Sequence, residues 1–164
     1  GRLFRKADTP PAAIESYPQV LRTRCGAFVS IHNQGELRGC YGHMEEDKPL
    51  LQNVREMAQW AAARDSRFRP VTPEELNEVD IEISVLSPLR KIRHITEIEM
   101  GVHGIFIRKG MNRGVFLPQV ATETGWSKES FLGHCARDKA GIGWNGWKEA
   151  EISVFTATII REKE

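Results

Sequence analysis

The stretch LRGCYG (37–42) sets a thiol between two glycines, with an arginine two residues ahead of it. The thiolate is the nucleophilic form of cysteine, and a fixed positive charge beside the sulfur favours it. If 37–42 is a strand, alternation places Arg38 and Cys40 on one face and Leu37 and Tyr41 on the other. Gly39 and Gly42 would let a ligand or another backbone approach closely, so Arg38, Gly39 and Gly42 are candidate substrate-binding positions around a catalytic Cys40. The same letters also fit a small apolar residue filling a tight corner, because free cysteine is among the most buried residue types.

A nucleophilic cysteine needs a base and something to orient that base. His134 stands in a helical stretch, 128–140, about 60° around the axis from Phe131, which places it on the border of the apolar face. From there it could act as general acid or base toward Cys40. Glu82, on an alternating strand, is the carboxylate that could orient it, although EISV recurs at 151–154 and suits a wet strand face equally well. His103 lies between Gly101 and Gly104 in a tight turn, and His43 leaves the hairpin three residues after Cys40. No H-x-x-x-H or H-E-x-x-H pair offers a zinc site, and neither a P-loop nor a dinucleotide fingerprint occurs. No metal is therefore expected, and no cofactor can be named. KAGIGWNGW (139–147) is glycine-rich without a phosphate-loop pattern, so its tryptophans close the core or line a cleft. RKGMNRG (108–114) gathers three cations on a hairpin tip, where solubility and phosphate contact are both available readings.

The elements that must carry these residues repeat. CGAFVSIH and ELRGCYG flank the turn Asn33-Gln34-Gly35 and predict a hairpin. KPLLQNVREMAQWAAARD (48–65) has helical spacing, and VDIEISVLS (79–87) alternates as a strand. HGIFIRKG (103–110), VFLPQV (115–120), a helix across 127–140 and KEAEISVFTATII (148–160) repeat the order. Gly26 aligns with Gly104, an offset of 78 (104 − 26) that sets Pro118 opposite Cys40. Thr72-Pro73-Glu74-Glu75 reads as a capping box, Ser127 as a helix cap and Gly141 as a helix stop. PLRKIRHITEIEMGV (88–102) is too polar and irregular to be expected in the core. The resulting fold class is α+β: internally duplicated hairpin-helix-strand units, 25–87 and 103–160, forming a largely antiparallel sheet with helices packed on it. An N-terminal segment, 1–24, precedes this single domain.

The chain's 164 residues suffice for one ordinary domain. Hydrophobic residues at 40% and charged residues at 27% argue against disorder. A formal charge of +1 gives no general electrostatic case for nucleic acid or a membrane surface, so such a contact would need a local patch. No apolar run reaches the length of a membrane span. Three cysteines without a C-x-x-C pair suit reduced thiols, and a cytoplasmic location is the default expectation.

Several segments resemble the AMMECR family, named for the Alport syndrome, midface hypoplasia, intellectual disability and elliptocytosis chromosomal region. They are LRGCYG, AARDSRF (62–68), TPEEL (72–76), IEISVLSP (81–88), GVHGIFI (101–107), RGVFLPQVATETGW (113–126) and FLGHCARDKAG (131–141). The family's hexapeptide usually carries Ile where this chain has Tyr41. The resemblance implies an α/β fold with duplicated elements and a functional hexapeptide, here Arg38, Gly39, Cys40 and Gly42, without naming a reaction. Glu82 and His134 fall in segments typical of microbial members. Such members occur near or fused with Memo-like and radical-SAM proteins, which the resemblance offers as partners. The leading expectation is a cleft presenting Cys40 for thiolate or covalent chemistry on an unknown small molecule or protein. The alternative is a non-catalytic binding module for a protein or nucleic-acid partner.

Overall fold

The computed structural model describes residues 18–162, so most of the expected N-terminal segment lies outside the described residues. In chain order the elements are α1 (Gln19–Arg22), β1 (Ala27–Asn33), β2 (Glu36–His43), α2 (Leu50–Ala63), β3 (Val79–Leu86), β4 (Arg90–Lys91), β5 (Gly104–Lys109), β6 (Asn112–Phe116), α3 (Pro118–Thr124), α4 (Lys128–His134), β7 (Glu151–Phe155) and β8 (Ala157–Arg161). The strands form two four-stranded sheets, ordered β2-β1-β3-β8 and β4-β7-β5-β6. Each sheet belongs to its own compact unit, one comprising the chain up to Leu86 plus Thr158 onward, the other Ser87–Ala157. The α+β class expected from the repeat is present, with one sheet for each copy.

In the first unit, Gln34 and Gly35 have φ of 51° and 82°, the left-handed pair that lets a two-residue hairpin follow the twist of its strands. Ala27, Val29 and Ile31 are buried on one face of β1, under α2. Leu50, Met57 and Ala61 recur at helical spacing on the buried side of α2. Fully burying a side chain the size of Met57 stabilises the fold by about 1.5–3 kcal/mol. The Thr72–Glu75 capping box is formed, opening a 3₁₀ turn over Pro73–Asn77.

The second unit is built around Ile105, Ile107, Phe131, Leu132 and Val154, with the rings of Phe116 and Phe131 stacked at 5.4 Å. Ser127 caps α4 by accepting the Ser130 N–H, and α4 runs on into a π-helical turn, Cys135–Lys139. Gly141, with φ 69°, ends this run. The segment 88–102 departs from its expected place outside the core: Ile92 and Ile98 are buried in this cluster, while the polar residues between them face outward. Isolated apolar residues in a charged stretch carry too little periodicity to reveal that side.

Register sets the two copies side by side and corrects one detail. Val85 pairs with Ala27 as Val154 pairs with Ile105, so the two EISV segments are equivalent strands. VFLPQV is not one strand, because β6 ends at Phe116 and Pro118 opens α3, where proline's fixed φ suits a first helical turn. Ser30 faces Cys40, and its counterpart Arg108 faces Arg113. Arg113 rather than Pro118 therefore holds the position equivalent to Cys40, the second hairpin being shorter than the first.

Candidate functional site

Each residue of the hexapeptide has a separate setting. The register between β1 and β2 slips between Ile31 and His32, so Leu37 rather than Arg38 stands opposite His32 and the expected alternation breaks at Arg38. The Arg38 guanidinium forms a two-point contact with Glu75, Nε at 3.0 Å and Nη2 at 3.1 Å, and donates to the Arg69 carbonyl at 3.2 Å. This paired cation holds the Glu75 carboxyl down at about 2, with the Thr72 N–H adding to the effect. Arg38 thus ties the hexapeptide to the capping box.

Gly39 lies against α2, where a Cβ would overlap the Ala61 carbonyl oxygen. Tyr41, on the same α2-facing side, meets the Trp60 ring edge-on at 5.3 Å. Gly42 lies on the opposite side under the Phe28 ring, which would overlap any Cβ there. Both glycines are explained by close packing within the unit.

Cys40 points away from α2 and is half-buried, whereas Cys25 and Cys135 are buried. Burial pushes the Cys25 thiol up, with Glu46 contributing, and pushes the Cys135 thiol up to about 12. The Ser30 hydroxyl donates to Cys40 Sγ at 3.3 Å. The Cys40 N–H points out of the sheet at its β2 edge and donates to Asp65 Oδ2 at 3.0 Å. That geometry makes Ser30 and Cys40 a non-hydrogen-bonded cross-strand pair, the kind whose side chains come closest. Asp65, 7% exposed, is clasped by Arg67 through Nε at 3.0 Å and Nη2 at 2.7 Å. The Arg67 hydrogen bonds hold the Asp65 carboxyl at about 2, assisted by the N–H groups of Cys40 and Arg67. The guanidinium's own proton affinity is raised chiefly by Asp65, with the Cys40 sulfur also contributing. Arg67, from the AARDSRF segment, thus reaches the hexapeptide through Asp65, whose carboxylate takes the Cys40 N–H. AARDSRF looks like an ordinary helix end followed by a turn, and only long-range packing reveals its role.

Ser30 also stands opposite Glu82 on its other side, so Cys40, Ser30 and Glu82 form one row across three strands on the face away from α2. Glu82 accepts from Arg161 Nε at 2.8 Å. His32, next along this face of β1, stands opposite Asp80 and with Glu82, Arg161 and Gly35 lines a cavity of about 230 Å³. Sequence reasoning passed over Ser30 and His32; their signal was alternation along β1, two and four residues beyond Phe28.

His134 belongs to the second unit. Its ring stacks on Trp126 at 3.8 Å, meets Trp144 edge-on at 4.9 Å and shares a hydrogen bond with Asp138 at 3.1 Å. Trp144 lies on Gly133, where a Cβ would overlap the indole. His103 Nδ1 accepts the Glu99 N–H at 2.9 Å, closing its turn. His43, Glu45 and Asp47 bring one ligand-type atom each within 4.8 Å of one another, His43 Nε2 lying 2.7 Å from Asp47 Oδ1. Among the described residues, no helix is long and apolar enough to cross a membrane.

A duplicated α+β frame with a thiol-bearing hairpin defines the class to which comparison with known proteins can be applied. The chain belongs to the AMMECR1 family, whose family model matches residues 3–160. It is 41% identical to a Methanothermobacter thermautotrophicus protein over 90% of this chain and 81% of that one. It is 40% identical to a Methanopyrus kandleri protein over 92% of this chain and 79% of that one. The crystal structure of an uncharacterized protein from Pyrococcus horikoshii superposes with a TM-score of 0.86 at 31% identity, covering 99% of this chain and 89% of that one.

Proposed function

We propose that this protein uses Cys40 for covalent chemistry on an electrophilic centre of a small molecule or protein. One observation carries the reading. Gly39, Tyr41, Gly42 and Arg38 each meet a packing or pairing demand of the fold, whereas Cys40 is half-buried on the face away from α2 and, among the described residues, its sulfur takes a hydrogen bond from Ser30. Ser30 supplies a directed hydrogen bond to the sulfur, and Arg67, which clasps the Asp65 carboxylate that takes the Cys40 N–H, is assigned the charge that favours the thiolate. Glu82 extends the same row and is assigned the carboxylate role there, held in place by Arg161.

Limiting iodoacetamide followed by peptide mapping tests the reading. Cys40 is expected to be alkylated while Cys25 and Cys135 are spared, and Cys40→Ser should take up no label with its circular dichroism unchanged. Equal labelling of all three thiols, or of none, would remove the case. The binding-module alternative predicts that Cys40→Ser preserves biological activity in a complementation assay, and the covalent reading predicts its loss. Memo-like and radical-SAM proteins are the partners to include in that comparison.

A further inference from the structure

A second site in the other unit draws on different residues. Lys91, Arg93, His94, Trp147, Lys148 and Glu151 are prominent in the lining of an open groove of about 400 Å³, a size within the ordinary range for small-ligand sites. Its one carboxylate, Glu151, is answered by Lys91 at 3.5 Å, both side chains being well exposed, so this pair is weak and easily opened. Glu97, just beyond the groove, is turned onto the backbone N–H groups of Arg93 and His94 and onto Arg90. Among the described residues, Arg93 and Lys148 have no carboxylate partner, and the Lys148 ammonium lies 5.6 Å from the centre of the Trp147 ring. Trp147, partly buried against the core of this unit, contributes its indole to the groove lining, with the Lys148 ammonium over the ring and Arg93 nearby in the same lining.

The cations continue along the strands. Lys91 stands opposite Ser153, Arg108 opposite both Glu151 and Arg113, so Lys91, Arg108 and Arg113 lie on one face of the sheet. Glu151 shares that face, so the strip carries three cations and one carboxylate. We infer that the groove binds a phosphorylated ligand with a flat aromatic ring, a nucleotide or the nucleotide unit of a single strand. Stacking on Trp147 is combined with charge-assisted contacts from Arg93 and Lys148 to phosphate. Stacking platforms flanked by basic side chains are the recurring means of holding single nucleotides and single strands.

Calorimetric titration at low salt with AMP, inorganic phosphate and a ten-nucleotide oligoadenylate tests this on the whole chain and on R93E/K148E. The expected result is AMP binding tighter than phosphate, weakened by about tenfold or more in the double variant, a loss of about 1.4 kcal/mol or more. Circular dichroism of the variant should match the parent. An oligonucleotide that binds more tightly than AMP, with a steep salt dependence, identifies the source as a nucleic-acid strand. Oligonucleotide affinity no higher than that of AMP identifies a free nucleotide. Three results each overturn the inference: no AMP or oligonucleotide binding at about 1 mM, binding unchanged in R93E/K148E, or phosphate bound as tightly as AMP.

Discussion

The Cys40 sulfur has Ser30 beside it, while Asp65, from the segment after α2, takes the Cys40 backbone N–H and is itself clasped by Arg67 two residues on. Asp65 gives a pH prediction with a definite sign. Its folded carboxyl titrates at about 2, below the ordinary value of about 3.9, so its contribution is fully present above pH ~4 and is lost as pH falls toward 2. The contribution is about 1–2 kcal/mol, discounted because Arg67 is half exposed. In acid denaturation, Asp65→Asn should be less stable than the parent at pH 6, and the difference should shrink as pH falls through that window. A constant difference across the window would detach Asp65 from the titration. Arg38, by contrast, is a tie to Glu75, and Arg38→Ala is expected to lower stability through the lost two-point pair, as read by chemical denaturation.

At the scale of the elements, the hexapeptide is a contact surface on both sides of its strand. Gly39→Ala would push a methyl group into the Ala61 carbonyl, a backbone atom that can retreat only if α2 shifts. About 3 kcal/mol of destabilisation is expected in a denaturant titration. Gly42→Ala meets the Phe28 ring, a side chain that can rotate, so its cost should be smaller. The reverse order would contradict the packing described. Much of this level was legible in the letters: the Asn-Gln-Gly turn, the helix spacing of α2, the Thr72 and Ser127 caps and the duplicated EISV all rest on local periodicity or turn chemistry. The slip that reorients Arg38 was not, because an irregular pairing arises between strands and leaves no mark on either alone. The Asp65–Arg67 pair is local, two residues apart in one turn, but its link to Cys40 is not, because it runs through the long-range hydrogen bond from the Cys40 N–H to Asp65.

At the scale of the molecule, the duplication has an unequal outcome. Both units order their strands alike, yet the place of Cys40 in the first is held by Arg113 in the second, so the thiol is no requirement of the repeated frame. The C-terminal strand β8 lies beside β3 in the first unit's sheet, with the Glu162 N–H donating to the Ile81 carbonyl and Arg161 holding Glu82. Truncation after Phe155 should therefore speed amide exchange along Val79–Leu86 by uncovering an edge, while Ile105 and Ile107, in the other sheet, keep their protection. Uniform acceleration through both sheets would refute this localisation.

A fold that makes Cys40 reactive shows itself in the rate of alkylation of that thiol by iodoacetamide. Cys40 in the folded protein is expected to react severalfold faster than the same cysteine in the chain unfolded by urea, with Arg67→Ala giving up most of that advantage. A folded-state rate at or below the unfolded one, or a rate indifferent to Arg67, would mean that the fold does not activate Cys40.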